Sequence, residues 1–235
     1  MQLTTLPFDR YRQVRWRNGG GNARDIAVHP AGAGMADAFG WRVALAEIER
    51  DGPFSLYEPD VERIITLLDG AGFDLDFDTA PGITLAEPHM PARFRGHWQT
   101  SCRLRGGRCI VINILYDDRA FSSQTHIIRP VADQPMIFSP PGRQSLLFCL
   151  NGRFEIGVEP PESETKASGS TVQPSSLQLA PWDSLQIELE PDEAPLLTMT
   201  ASIAESRLLL VGFDPLEDAA TQADRDKREA LARTA

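Results

Sequence analysis

Short segments of alternating apolar and polar residues, separated by turn residues, constrain this sequence more than any other feature. Residues 73–77 (FDLDF) and 185–189 (LQIEL) alternate at every position, and residues 41–45 (WRVAL) and 124–128 (QTHII) do so less strictly. A period of two is typical of strands with one buried face. Because 18 glycines and 18 prolines can supply the turns, the sequence predicts an all-β sandwich or barrel.

One arrangement of segments occurs twice along the chain. Residues 64–77 and 145–158 each contain an apolar segment, an Asx-Gly pair and a second segment that alternates. This combination is the strongest local signal for a β-hairpin. A further short segment follows each copy, at residues 83–85 and 177–179. The pattern predicts two copies of one β-unit, and a chance resemblance between two hairpins is the alternative.

We place the first unit at residues 1–120 and the second at residues 121–215. Residues 159–176 are polar and rich in Pro and Ser, so we predict a mobile surface loop inside the second unit. Residues 216–235 are rich in Ala, Asp, Arg and Glu and form either a terminal helix or a disordered tail. No helix is expected before them.

The charge balance argues against several classes of partner. The chain has a net charge of −10 and a pI near 4.9, whereas nucleic acids and anionic membranes are bound by basic surfaces. The net charge does not argue against a small anionic ligand, which local arginines could bind. Residues 1–16 lack the apolar core of a signal peptide. The three cysteines (Cys102, Cys109 and Cys149) show no CxxC spacing, so reduced thiols and a cytoplasmic location are expected.

The familiar catalytic and metal-binding motifs are missing from the sequence. It contains no nucleophile elbow, no phosphate-binding loop and no paired-cysteine zinc motif. The four histidines are scattered (His29, His89, His97 and His126), and a metal site usually needs three convergent ligands. We therefore expect neither a metal nor a cofactor.

Residues 16–21 (WRNGGG) are the least regular part of the sequence. Consecutive glycines are typical of places where backbone passes close to another group or adopts a positive φ. Their N–H groups can also form a concave donor site for an anion. A tight turn between two strands is the alternative.

Three polar residues lie within or beside apolar runs: Arg42, Arg63 and Asn113. A buried amide needs hydrogen-bond partners, and a guanidinium group matches the two oxygens of a carboxylate. The two arginines are therefore candidates for binding an anion. For each, the alternative is an ion pair with a neighbouring carboxylate (Glu47, Asp51 or Glu62).

These residues belong to a series of motifs that resembles a known family. The series comprises WxNGGGxxRxI at 16–26, WR at 41–42, AEI at 46–48, DGPFS at 51–55, Arg63, LLDG at 67–70, RFxG at 93–96 and Asn113. In order and spacing it is similar to the HutD/Ves family of cupin-like proteins, in detail over most of residues 1–115 and in character to about residue 213. The resemblance implies an all-β fold of two cupin-like β-barrels in one chain (a bicupin of the RmlC-like type), which agrees with the repeat.

The resemblance also implies a function. Some relatives are linked to histidine utilisation, with a suggested role in binding a formylglutamate- or urocanate-like metabolite and restraining flux, and others are described as stress-induced. We therefore expect a metal-independent cytoplasmic binder of a small carboxylate, with a regulatory role and no catalytic residues. The expected ligand-binding residues are Trp16, Asn18, Gly19, Gly20, Gly21, Arg24, Arg42, Phe54, Arg63 and Asn113.

Two other functions remain open at this point. A metal-independent cupin enzyme, an isomerase or hydrolase of a small amino-acid-derived acid, needs a general acid or base, for which Glu47 and His97 are the candidates. A protein-interaction module needs an exposed apolar or basic patch, which the sequence does not indicate. The sequence leaves undetermined the ligand, the barrel that holds the site and the oligomeric state, a homodimer included.

Overall fold

Strands make up almost all of the regular structure. The structure, a computed structural model, describes residues 1–15, 22–34, 37–158 and 176–216. Within these ranges the only helical element is a 3-10 turn, Phe8–Arg10, and no helix has the length and apolar character needed to cross a membrane. The all-β prediction is confirmed. The strands of the described residues are β1 (Gln2–Leu6), β2 (Arg12–Arg15), β3 (Asn22–His29), β4 (Trp41–Ile48), β5 (Gly52–Pro53), β6 (Val61–Asp69), β7 (Phe73–Phe77), β8 (Ile83–Leu85), β9 (Pro91–Arg95), β10 (Thr100–Leu104), β11 (Cys109–Asp117), β12 (Phe121–Ile128), β13 (Met136–Phe138), β14 (Gln144–Asn151), β15 (Phe154–Val158), β16 (Ser176–Leu179), β17 (Ser184–Glu188), β18 (Leu197–Ala201) and β19 (Arg207–Pro215).

The strands form two compact units, each built from two sheets. The first unit consists of the described residues of Tyr11–Ser122 together with Pro215 and Leu216. It contains a six-stranded sheet in the order β2-β3-β4-β11-β6-β9 and a four-stranded sheet in the order β5-β10-β7-β8. The second unit consists of Met1–Arg10 and Ser123–Asp214. It contains a five-stranded sheet, β1-β17-β14-β19-β12, and a four-stranded sheet, β13-β18-β15-β16.

The two units share one strand order. The run β4-β11-β6-β9 of the first unit corresponds to β12-β19-β14-β17 of the second, and the four-stranded sheets correspond strand for strand. Both units also have a β-bulge at the same place. Leu68 in β6 is skipped in the pairing with β11, and Leu150 in β14 is skipped in the pairing with β19. The repeat predicted from two hairpins therefore extends through the fold.

Both predicted hairpins turn at a glycine with positive φ. Gly70 has a φ of 108° and Gly152 a φ of 87°. A Cβ on Gly70 would lie 2.6 Å from the carbonyl oxygen of Arg108, and one on Gly152 would lie 2.1 Å from Oγ of Ser206. Only glycine meets both conditions, which is why the Asx-Gly pairs located these turns correctly.

The N-terminal boundary differs from the predicted one. Strand β1 pairs with β17 from Gln2↔Glu188 to Leu6↔Ser184, so residues 1–10 belong to the second unit and not to the first. Such a pairing joins segments at opposite ends of the sequence and leaves no local pattern. Apart from Ser176 and Leu216, the predicted loop at 159–176 and the predicted tail at 216–235 lie outside the described residues.

Each unit encloses an apolar core, and the cysteines contribute to both. Cys102 and Cys109 lie in the core of the first unit and Cys149 in that of the second. All three are free thiols. They act here as small buried apolar groups.

We expect the stability of both units to fall as the pH rises above about 9. Burial raises the pKa of the Cys102 and Cys149 thiols from 9.0 to about 12. The unfolded chain therefore loses these protons first, so the stabilising contribution is complete below pH 9 and is lost as the pH approaches 12. Urea denaturation between pH 9 and 12 measures the free energy of unfolding. This energy should fall less steeply with pH in Cys102→Ala and Cys149→Ala than in the wild type. An equally steep fall in the variants would show that these thiols are not its cause.

Candidate functional site

A small cavity lies in the first unit, between the six-stranded sheet and the segment that follows β5. Its volume is about 50 Å³. Alternate residues of a strand face the same side, so the register of β3, β4, β11 and β6 brings their inward side chains together. The lining residues are Ala23 and Asp25 of β3, Arg42, Ala44 and Ala46 of β4, Arg63 of β6, Asn113 and Leu115 of β11, and Phe54, Ser55 and Tyr57.

Arg63 is a buried cation enclosed by aromatic rings. The residue is 6% exposed. Its guanidinium carbon lies 5.1 Å from the ring centre of Phe54, 5.3 Å from that of Tyr57 and 4.9 Å from that of Phe94. Each contact is a cation–π interaction, so three ring faces share one positive charge. This burial lowers the pKa of Arg63.

The polar contacts of Arg63 are incomplete. Nη1 donates to the carbonyl oxygen of Ser55 at 3.3 Å, and Nη2 donates to Oδ1 of Asn113 at 3.4 Å. Nε is buried and makes no hydrogen bond. Among the described residues no carboxylate forms an ion pair with this guanidinium. In the described part of the chain, neutral groups alone contact this charge.

Arg42 is equally buried but has an acidic partner. Its Nη1 donates to Oδ1 and Oδ2 of Asp25 at 3.2 and 3.0 Å. Its Nη2 donates to the carbonyl oxygens of Ala33 at 3.4 Å and Gly34 at 2.5 Å. Arg12 places a second guanidinium on Asp25, with an Nη2–Oδ2 distance of 2.7 Å. Arg42 thus holds the segment after β3 in place.

The residues that line the cavity carry a net positive charge in an acidic protein. Arg42 and Arg63 supply two positive charges against the single negative charge of Asp25, a net of +1, while the whole chain carries −10. Within the described ranges, no group of three or more His, Cys, Asp or Glu residues is placed to hold a metal ion. The chemistry that these residues offer comes from guanidinium and amide donors.

Four of the predicted ligand residues line this cavity: Arg42, Phe54, Arg63 and Asn113. Arg24 does not belong with them. Its neighbours Ala23 and Asp25 both face the cavity, so the side chain between them points to the other face of the sheet. Trp16, Asn18, Gly19, Gly20 and Gly21 lie outside the described residues.

The acidic residues considered in the sequence have other partners. Glu47 pairs with Arg108 at 3.4 Å, and Glu62 pairs with Arg93 at 3.1 Å. Neither Glu47 nor the exposed His97 lines the cavity. The two residues named for an enzyme reaction are therefore not placed to act at this site.

Sequence reasoning missed Asp25 and Tyr57. Asp25 alternates with Ala23 on the inward face of β3, so an acidic residue at an otherwise apolar inward position was the available signal. Tyr57 lies in the irregular segment between β5 and β6, where no period indicates the direction of a side chain.

The described residues of the second unit have no counterpart of Arg63 or Asn113. Aligning the two bulges places Ser145 where the first unit has Arg63, and Leu210 where it has Asn113. Leu210 packs in the apolar core of the second unit. A buried charge of this kind is therefore a feature of the first unit within the described residues.

Comparison with known sequences gives a consistent set of relatives. A family model described as HutD matches residues 9–194. A Pseudomonas putida protein described as "Uncharacterized 21.2 kDa protein in hutC 3'region" is 37% identical over 123 residues, which is 52% of this chain and 63% of that protein, so the match spans less than two thirds of the relative. "Protein Ves" of Citrobacter koseri is 33% identical over 144 residues, or 60% of this chain and 70% of its own length.

Solved structures show the same fold. A conserved Pseudomonas aeruginosa protein of unknown function has a TM-score of 0.75 at 26% identity, covering 91% of this chain and 100% of that chain. HutD from Pseudomonas fluorescens has a TM-score of 0.70 at 23% identity, covering 92% and 100%. A cupin 2 conserved barrel domain protein from Leptotrichia buccalis has a TM-score of 0.53 at 12% identity, covering 88% and 95%. The fold is cupin-like.

Proposed function

The chain belongs to the HutD family, and we propose that its first unit binds a small carboxylate anion at Arg63. The observation that carries this proposal is a guanidinium group that is buried among three aromatic rings and has no carboxylate partner in the described part of the chain. A buried charge costs several kcal/mol unless it is paired. An anion in the adjoining cavity supplies the missing partner.

The hydrogen-bonding groups of the cavity favour a carboxylate in particular. Oδ1 of Asn113 accepts from Arg63, which leaves the amide nitrogen of Asn113 as a donor on the cavity wall. Nη1 and Nη2 of Arg63 donate only at 3.3 and 3.4 Å to neutral oxygens. The carboxylate of Asp25 already accepts hydrogen bonds from Arg12 and Arg42. A carboxylate accepts hydrogen bonds and donates none, so it matches a wall that offers donors.

We propose that the role of this site is binding without catalysis. A general acid or base must reach the ligand, and Glu47 and His97 do not line the cavity, while the Asp25 carboxylate is paired with Arg12 and Arg42. The description of the Pseudomonas putida relative refers to hutC, and the family name carries the same link to histidine utilisation. We infer that carboxylate occupancy of the first unit regulates that pathway or a stress response.

A thermal-shift titration of the purified protein tests the binding proposal. Sodium acetate, propionate, formylglutamate and urocanate are each titrated against sodium chloride at matched ionic strength, with acetamide as the neutral counterpart of acetate. We expect at least one carboxylate to raise the Tm as its concentration increases. At 100 times its Kd the ligand should add about 2.7 kcal/mol to the free energy of unfolding. Acetamide should give no shift, because it brings no charge to Arg63.

Equal shifts with acetate and acetamide would contradict the role of charge at this site. The absence of a shift with every carboxylate, including at high concentration, would remove the proposal itself.

A further inference from the structure

The strand register arranges the inward residues of the first unit in rows. Rows follow one another every second residue, about 6.6 Å apart along a strand. The paired positions are Arg42, Leu115 and Arg63 in the first row, Asp25, Ala44, Asn113 and Ile65 in the second, and Ala23, Ala46, Val111 and Leu67 in the third. Polarity therefore falls from the guanidinium row to the third row, which is apolar.

Three alanines create the room beyond the guanidinium group. Ala23, Ala44 and Ala46 all line the cavity, and each is less than 8% exposed. They occupy adjacent positions of β3 and β4, since Ala23 pairs with Ala46 and Asp25 pairs with Ala44. Their methyl groups form a short apolar wall, which we call the alanine wall. It offers no hydrogen bond to a ligand.

The volume of the cavity limits what can reach this wall. A water molecule needs about 10–15 Å³ on the same measure, so about 50 Å³ holds roughly three to five water-sized groups. A carboxylate group takes up three of these positions, and at most two more remain. Formylglutamate and urocanate exceed this number about two- to fourfold in non-hydrogen atoms, so at most one end of either would be enclosed.

We propose that the cavity selects a short aliphatic monocarboxylate of two or three carbons. Its carboxylate lies against Arg63 and Asn113, and its methyl or ethyl tail lies against the alanine wall. Ala44 and Ala46 are the residues that set the length of the ligand. This inference rests on the proposed function, because it requires that a carboxylate binds at Arg63, and it adds the chemical class of the rest of the ligand.

A chain-length series tests the selection. Kd values are measured by calorimetric titration for formate, acetate, propionate, butyrate and hexanoate, with formylglutamate and urocanate alongside. Each methylene that is buried on the alanine wall should strengthen binding about fourfold, so affinity should rise from formate to acetate or propionate. It should then fall at least tenfold at hexanoate, which has no room.

Two substitutions move the optimum in opposite directions. Ala44→Val adds two methyl groups where the tail lies, so propionate should lose at least tenfold in affinity while formate changes by less than about threefold. Ala46→Gly removes a methyl group, so the optimum should shift towards butyrate. Because Ala46→Gly adds no bulk, it still tests whether the alanine wall sets the ligand length if Ala44→Val fails to fold.

Affinity that keeps rising through hexanoate would overturn the length selection. The length selection would also be overturned if Ala44→Val weakened the binding of formate and propionate equally and Ala46→Gly left the preferred chain length unchanged. Either result with measurable carboxylate binding would leave the proposed function intact, whereas the absence of binding by every acid would remove both.

Discussion

Asp25→Ala is expected to lower the free energy of unfolding by about 3–5 kcal/mol, the usual cost of removing one partner from a buried ion pair. Asp25 is 5% exposed and Arg42 is 2% exposed. Without the carboxylate, Arg42 loses both bonds to Asp25 and retains its bonds to the neutral carbonyl oxygens of Ala33 and Gly34. Urea denaturation followed by circular dichroism measures the change.

The double variant Asp25→Ala/Arg42→Met separates the loss of a charge partner from the loss of packing. Removing both charges avoids an unpaired buried cation, so the double variant should recover most of the stability that the single variant loses. Asp60→Ala is the matched control, because Asp60 pairs with Arg119 in an exposed setting and its removal should have a much smaller effect. A double variant no more stable than Asp25→Ala would show that Asp25 acts through its shape and not its charge.

Much of the fold was predictable because its signals are local. The alternation in residues 73–77 and 185–189 reflects strands with one buried face, and both appear as β7 and β17. The Asx-Gly pairs mark turns that only glycine can make. The pairing of β1 with β17 was not predictable, since it depends on which sheet edge is open after the rest of the unit has formed.

The candidate site was predictable in part, for a related reason. Arg63 and Asn113 stand out in sequence because polar groups inside apolar runs must find partners, and they contact each other. Arg24 does not line this cavity, and the motif could not indicate this because it gives the order of residues but not the face of the strand on which each lies. Asp25 and Tyr57 were missed because their contacts with the two arginines are made between strands or from irregular segments.

Arg63→Met should abolish carboxylate binding without a comparable loss of stability. Removing one partner of a buried charge pair costs about 2–5 kcal/mol of binding energy, or roughly 30- to 4,000-fold in Kd. Stability should change by less than about 2 kcal/mol, because two effects oppose each other. Methionine removes the desolvation cost of a buried cation, and it loses three cation–π contacts of about 0.5–2 kcal/mol each.

Comparing Arg63→Met with Asp25→Ala therefore separates a role in binding from a role in stability. Both residues are buried, but only the charge of Asp25 is neutralised by a partner. Arg63→Lys keeps the charge but loses the planar fork that fits between rings and carboxylate, so its Kd should lie between those of the wild type and Arg63→Met. Arg103→Met, at an exposed position of the same unit, should bind as the wild type does. If Arg63→Met instead unfolds as readily as Asp25→Ala, the Arg63 cation supports the fold, and the cavity would need another residue to hold an anion.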